Sequence, residues 1–177
     1  MMTDKISHRA RWLSYLAMTC FLVLPLGALA LLATGGVNED ALRAHYAGLS
    51  LPEQLGTTPV LIWAGVEATK MALLLWVIWC LRTWLVACAQ GEVFAATTAR
   101  LIRRMGIGLL TLAGVSVIDH TIVVAALTWG NPAGQRSLAV GFGSSELFLF
   151  LTAGLVALFG WIQAEAARIS AENEAFV

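Results

Sequence analysis

Four long apolar runs separated by three polar stretches leave this chain few ways to fold. The runs cover approximately residues 12–33, 62–86, 105–129 and 145–164. A helix rises about 1.5 Å per residue, so about 20 apolar residues cross the ~30 Å hydrocarbon core of a bilayer. Without water in that core, every backbone N–H and C=O must find a partner within the protein, and a helix satisfies them locally. The expected fold is all-α: a four-transmembrane-helix bundle forming one membrane domain over 1–177. Its polar parts are an outer loop at 34–59, a cytoplasmic turn at 87–104 and a cytoplasmic tail at 165–177.

Composition agrees. Only 12% of residues are charged and 59% are hydrophobic, where a soluble domain carries about 25% charged residues. The net charge is zero, so there is no basic field to suggest direct nucleic-acid binding. Cys20, Cys80 and Cys88 all lie in apolar runs. An odd, unclustered set predicts neither a disulfide framework nor a zinc site.

The first run follows a basic start, as signal peptides do, and Ala28-Leu29-Ala30 resembles a cleavage site. The run exceeds the usual apolar region of about 7–15 residues, and more apolar residues follow, so an uncleaved span is expected, bent at Pro25. In the outer loop, Asn38 should cap a short helix from Glu39 to about Ala47 that ends at Gly48. Ser50 and Glu53 have capping-box spacing. Leu42, Tyr46, Leu49 and Leu55 would dock this segment on the membrane surface, as a structural lid or as a ligand-binding cap. The second run extends to about Ala89, longer than the bilayer needs, and predicts tilt or protrusion. Gly91 should close it. A third helix starts near Ala95 and ends at the turn Gly130-Asn131-Pro132. Ser144 or Ser145 should cap the fourth, which continues as a polar helix from Gln163 to about Asn173.

Lys and Arg favour the cytoplasmic side of a membrane. Lys5, Arg9, Arg11, Arg82, Arg100, Arg103, Arg104 and Arg168 fall on one side, and Arg43 and Arg136 on the other. Both termini and the Gly91 turn are therefore expected in the cytoplasm. Tryptophans favour interfaces. Trp12, Trp84 and Trp161 would mark the inner boundary, and Trp63 and Trp129 the outer; Trp76 and Trp79, set deeper, would face lipid.

Three groups of residues stand out. Ala153, Ala157, Gly160, Ala164, Ala167 and Ala171 repeat every four or three positions on the fourth span. Small residues at this spacing let helix backbones approach closely in a membrane, where packing drives association. Ala99, Gly106, Ala113 and His120, seven residues apart, form a matching set on the third span. The two helices should pack as a close pair extended into the cytoplasm; a homo-oligomer seam is the other use of such a stripe.

The second group is Glu67, Lys70, Asp119, His120 and Glu146, polar residues at similar depth in the outer half. Ionisable groups inside a membrane are costly and mark functional sites or helix-locking pairs. Here they fit a proton or cation relay on Asp119 and His120, or a lock between Lys70 and Asp119 or Glu67. The third group is Arg100, Arg103 and Arg104 together with Glu165, Arg168, Glu172 and Glu174. If the third and fourth helices pack through the small seam, these charges should meet and present a platform to a soluble partner, or to anionic headgroups. No nucleophile motif, phosphate loop or metal-ligand spacing is present. A haem would need a second axial ligand, and His8 and His45 fall on opposite sides. No enzyme, metal or cofactor is therefore expected.

The turn Gly91-Glu92-Val93-Phe94, followed by Thr98, Arg100-Leu101 and Arg104, resembles the bacterial domain-of-unknown-function 2975 family. So does the ending from Ala164 to Val177, with Glu172-Asn173-Glu174 and Val177. After Phe94 the chain departs from that pattern: Ala95-Ala96 stand where a capping Ser or Thr and an Asn are expected. The resemblance implies a four-span inner-membrane protein with no assigned reaction. It also implies, since members are often encoded beside a Cro/C1-type helix-turn-helix regulator, a membrane partner for a transcription factor. The functional expectation is an interaction protein of the bacterial inner membrane; the alternative is a small transporter or channel subunit using the intramembrane polar cluster.

Overall fold

The computed structural model describes residues 2–36, 38–52, 55–92, 95–132 and 134–174, except the side chains of residues 2–6, 170, 171, 173 and 174. Five helices appear in the order α1 (Met2–Ala33), α2 (Glu39–His45), α3 (Thr57–Ala89), α4 (Ala96–Thr128) and α5 (Ser144–Glu174). No strand occurs among the described residues. Helices α1, α3, α4 and α5 are each long and apolar enough to cross a membrane. The 33 residues of α3 amount to about 50 Å of helix. The chain therefore reads as a multi-pass membrane protein.

Local chemistry sets the helix ends. Gly35 adopts a φ of 73° and Gly91 one of 91°, backbone that side chains with a Cβ rarely reach. Each glycine closes a Schellman motif. Gly35 and Gly36 N–H donate to Leu32 and Leu31 carbonyls, and Gly91 and Glu92 N–H to Cys88 and Ala87 carbonyls. Asn38 caps α2 by accepting a hydrogen bond from Ala41 N–H at 2.8 Å. That helix stops earlier than its sequence suggests: Tyr46, not Gly48, is the C-cap. Glu53 of the expected capping box lies outside the described residues, and Phe94 does too. The start of α5 also differs from expectation. Gly143 carbonyl accepts the first helical bond, from Leu147 N–H, and Gly143 N–H donates to Glu146 Oε2 at 2.8 Å. Glu146, three residues into the helix, thus supplies the cap expected from Ser144 or Ser145.

Within the helices, Thr19, Thr69, Thr83, Thr111, Ser116 and Thr152 each donate a hydroxyl proton to the carbonyl four residues back. This satisfies polar atoms without water. Many large apolar side chains are open to the surroundings, among them Leu26, Leu61, Phe148 and Phe159. Only 6% of the apolar window of α1 and 11% of that of α5 are buried inside the protein. A protein in water would hide such surface; in a membrane, lipid covers it.

The long helices pack in the order α1–α3–α4–α5, with α4 touching both α3 and α5. The α4/α5 contact is backbone to backbone. A Cβ on Gly106 would fall 2.8 Å from Ala157 Cα, and one on Gly160 would fall 2.9 Å from Arg103 N. On its other side, α4 presents Gly108 to Val77 and Trp76 of α3. On α1 the buried positions Ala10, Ser14 and Ala17 form a second small-residue stripe. Phe21 meets the Trp79 ring at 5.6 Å, so Trp79 is shared between a helix neighbour and lipid.

The loop carrying α2 folds over the ends of α3 and α4. Leu42 and Leu55 bury against Val123 and Leu127, with Tyr46, Leu51, Val60 and Trp63 around them. Docking is therefore onto the helix ends and not onto the bilayer surface. Val123 and Leu127 leave an apolar face at the end of α4, and Leu42 packs into this cluster fully buried.

Candidate functional site

Lys70 stands at the centre of the polar cluster. Its Nζ lies 2.6 Å from Asp119 Oδ2 across the α3/α4 contact and 2.6 Å from Glu67 Oε1 one turn away on α3. The Lys70 side chain is 22% exposed, Asp119 10% and Glu67 48%. The Lys70–Asp119 link is thus well removed from its surroundings, while Glu67 opens outward. Asp119 Oδ1 is buried and has no hydrogen-bond partner among the described residues. Asp119 lies nine residues before the end of α4, about 13 Å along the helix axis, inside the stretch that crosses the membrane.

The neighbouring groups come from α4, the cap and the chain entering α5. The His120 ring packs on the chain before α5, where a Cβ on Gly141 would lie 2.5 Å from His120 Cγ. Only glycine permits that approach. From the cap, the Tyr46 ring lies 6.0 Å from His120 and 4.9 Å from His45. Burial pushes the Tyr46 hydroxyl above its usual range, and the charge of Asp119 adds to this. Glu146 is within electrostatic reach of His120 and Lys70. The structure thus gathers Glu67, Lys70, Asp119, His120 and Glu146, and adds Tyr46. The sequence marks Tyr46 only as a docking residue, although its position four residues after Leu42 places both on one face of the loop helix.

The cap is latched beside this cluster. Glu39 Oε1 accepts from Arg43 Nη2 at 2.6 Å, from Arg43 Nε at 3.1 Å and from Leu55 N–H at 3.0 Å. Arg43 Nη2 also donates to Pro52 carbonyl at 2.6 Å. These bonds hold the Glu39 carboxyl below its ordinary range, the Arg43 bond most and the Leu55 bond next. Asn131 is buried and ties the two loops at this end together: its Nδ2 donates to Ser50 carbonyl at 2.7 Å and to Gln135 carbonyl at 3.1 Å. A groove of about 460 Å³ opens nearby, lined by Thr58, Pro59, Ile62, Ala126, Trp129 and Gly130. None of these residues ionises, so the groove stands apart from the charge cluster.

At the Gly91 end the arginines and glutamates do not meet as expected. Arg168 pairs with Glu165 on one side and with Glu172 at 3.4 Å on the other, all within α5. Among the described residues no ion pair joins Arg100, Arg103 or Arg104 to α5. The backbone of Arg103 lies against Gly160 of α5, while the side chains of Arg100, Arg103 and Arg104 are exposed. Arg168 has carboxylates three and four residues away on its own helix, which it reaches without any tertiary contact.

The seam is closed over only part of its length. Ala153 and Gly160 are buried and Ala157 is partly buried, but Ala164 is exposed and Ala167 half-exposed; the side chain of Ala171 lies outside the described residues. The register that sets Gly106 against Ala157 places Ala96, the first residue of α4, level with Ala167. The end of α5 therefore projects past its neighbour. On the α4 side, Ala99, Gly106 and Ala113 are buried, and His120 ends the series against Gly141. Among the described residues no group of three or more His, Cys, Asp or Glu is placed to hold a metal ion. No protein-family model, curated protein or solved structure matches the chain, so its function has to be read from the sites themselves.

Proposed function

We propose that this protein is a small regulatory partner of the bacterial inner membrane, with both termini and the Gly91 turn in the cytoplasm. Its Gly91 face binds an acidic surface of a soluble protein. The observation that carries this reading is the ledge of Arg100, Arg103 and Arg104, three exposed guanidinium groups at the start of α4 that no described carboxylate neutralises. The close α4/α5 contact fixes the backbone under them, so the ledge is rigid before a partner arrives. Beside it the projecting end of α5 carries Glu165, Arg168 and Glu172, a second charged surface. The family resemblance of the turn and tail points to a helix-turn-helix regulator as the partner, held at the membrane and released by a shift in population.

The test is a photo-crosslinker at Thr97, exposed beside the ledge, activated in native membranes. Recovery of one soluble regulator, lost at least tenfold in an Arg100→Ala/Arg103→Ala/Arg104→Ala chain, is the expected result. Crosslinks to anionic lipid alone would assign the ledge to headgroups and end the partner reading.

A further inference from the structure

The charge around Lys70 points to a site at the other end of the molecule, independent of the arginine ledge. Two carboxylates, Glu67 and Asp119, share one ammonium. The trio therefore carries one excess negative charge within the membrane-crossing part of α3 and α4. An uncompensated charge at that depth is costly. One acceptor in the cluster is unused: Asp119 Oδ1, sealed from its surroundings and without a partner among the described residues. Asp119 as a whole is 8% exposed. A buried, unsatisfied acceptor beside an excess negative charge calls for something small and positive.

We propose that the Glu67–Lys70–Asp119 cluster binds one exchangeable monovalent cation at Asp119 Oδ1. A proton needs only that single oxygen. An alkali ion would need further oxygens from the same cluster, and both occupants share the chemistry of a small monocation that offsets the excess charge. The groups facing the site are Glu67 and Lys70 on α3, His120 beside Asp119 on α4, Glu146 at the start of α5 and Tyr46 from the cap. Of these, Tyr46 and His120 connect the site to the cap, and His120 and Glu146 connect it to the chain entering α5. Occupancy is therefore felt at the loops on the membrane surface.

Asp119 is one of three aspartates, with Asp4 and Asp40. In a full-length Asp4→Asn/Asp40→Asn chain, aspartate labelled with carbon-13 at the carboxyl reports on Asp119 alone and leaves the cluster intact. The protein is reconstituted in lipid vesicles and its carboxyl resonance is followed by NMR in two arms. One lowers the pH from about 8 to about 5 in choline chloride. The other replaces choline chloride by sodium chloride at about pH 8. Movement in the first arm identifies a proton, and movement in the second an alkali ion. Glu67→Gln removes the excess charge without touching Asp119, so it should raise the cation activity needed at least tenfold. A resonance unmoved in both arms overturns the proposal, as does a midpoint that Glu67→Gln leaves unchanged.

Discussion

Gly106 of α4 lies against the backbone of Ala157 of α5 so closely that a Cβ at position 106 would fall 2.8 Å from Ala157 N and Cα. No flexible side chain can yield there, since the opposing atoms are backbone. Gly106→Ala should therefore push the helices apart and destabilise the protein by about 1–3 kcal/mol. A Cβ on Gly154 would meet nothing within 4 Å, so Gly154→Ala should be neutral or stabilise by up to about 1 kcal/mol through helix propensity. Unfolding of both variants in mixed micelles checks the contrast. Equal losses would mean that the close approach is not what holds α4 to α5.

Lys70 and Asp119 should behave as one unit. Lys70→Met leaves two carboxylates without their ammonium; with Asp119 buried but Lys70 only partly so, the loss should fall at or below the about 3–5 kcal/mol of a fully buried pair. In Lys70→Met/Asp119→Asn the buried charge is gone as well. The double variant should be more stable than Lys70→Met alone, and a double-mutant cycle reads the coupling. Additive losses would contradict the pairing.

The cap should loosen in acid. The folded pKa of Glu39 lies below its ordinary value because of Arg43 and Leu55. A carboxyl with a depressed folded pKa contributes stability that is complete above the unfolded value and disappears as pH falls through the folded one. Hydrogen exchange of the Leu55 amide should therefore accelerate as pH drops below about 4, beyond its intrinsic pH dependence. In Glu39→Gln that extra acceleration should be missing.

Asn131 bridges Ser50 and Gln135 from a buried position. Asn131→Ala leaves two carbonyls without this donor and should cost about 1–3 kcal/mol. Proteolysis at the loops around 50 and 135 should rise together. A rise at only one of them would show that the two loops dock separately.

Much of the architecture follows from local sequence. Apolar runs of spanning length give long helices because unpaired backbone is intolerable in lipid. Gly35 and Gly91 end α1 and α3 because a left-handed residue is needed to close each terminus. Asn38 starts α2 for an equally local reason. The depth of Glu67, Lys70, Asp119, His120 and Glu146 could likewise be counted along the helices, and the spacing of the small residues marked a close face on α4 and α5.

What tertiary structure decided was rotation and register. Rotation about the α4 axis set the backbone of Arg103 against Gly160 and left the side chains of Arg100, Arg103 and Arg104 exposed, and Arg168 pairs with the nearby glutamates on its own helix. Register let the end of α5, beyond Ala167, run past the start of α4. It also brought Lys70 to Asp119, 49 residues away in sequence, and left Asp119 Oδ1 with no donor among the described residues. Tyr46 reached His120 because Leu42 found an apolar hollow at the ends of α3 and α4. Periodicity fixes which residues share a helix face, but the partner of that face depends on how neighbouring backbones pack, which no single run of sequence contains.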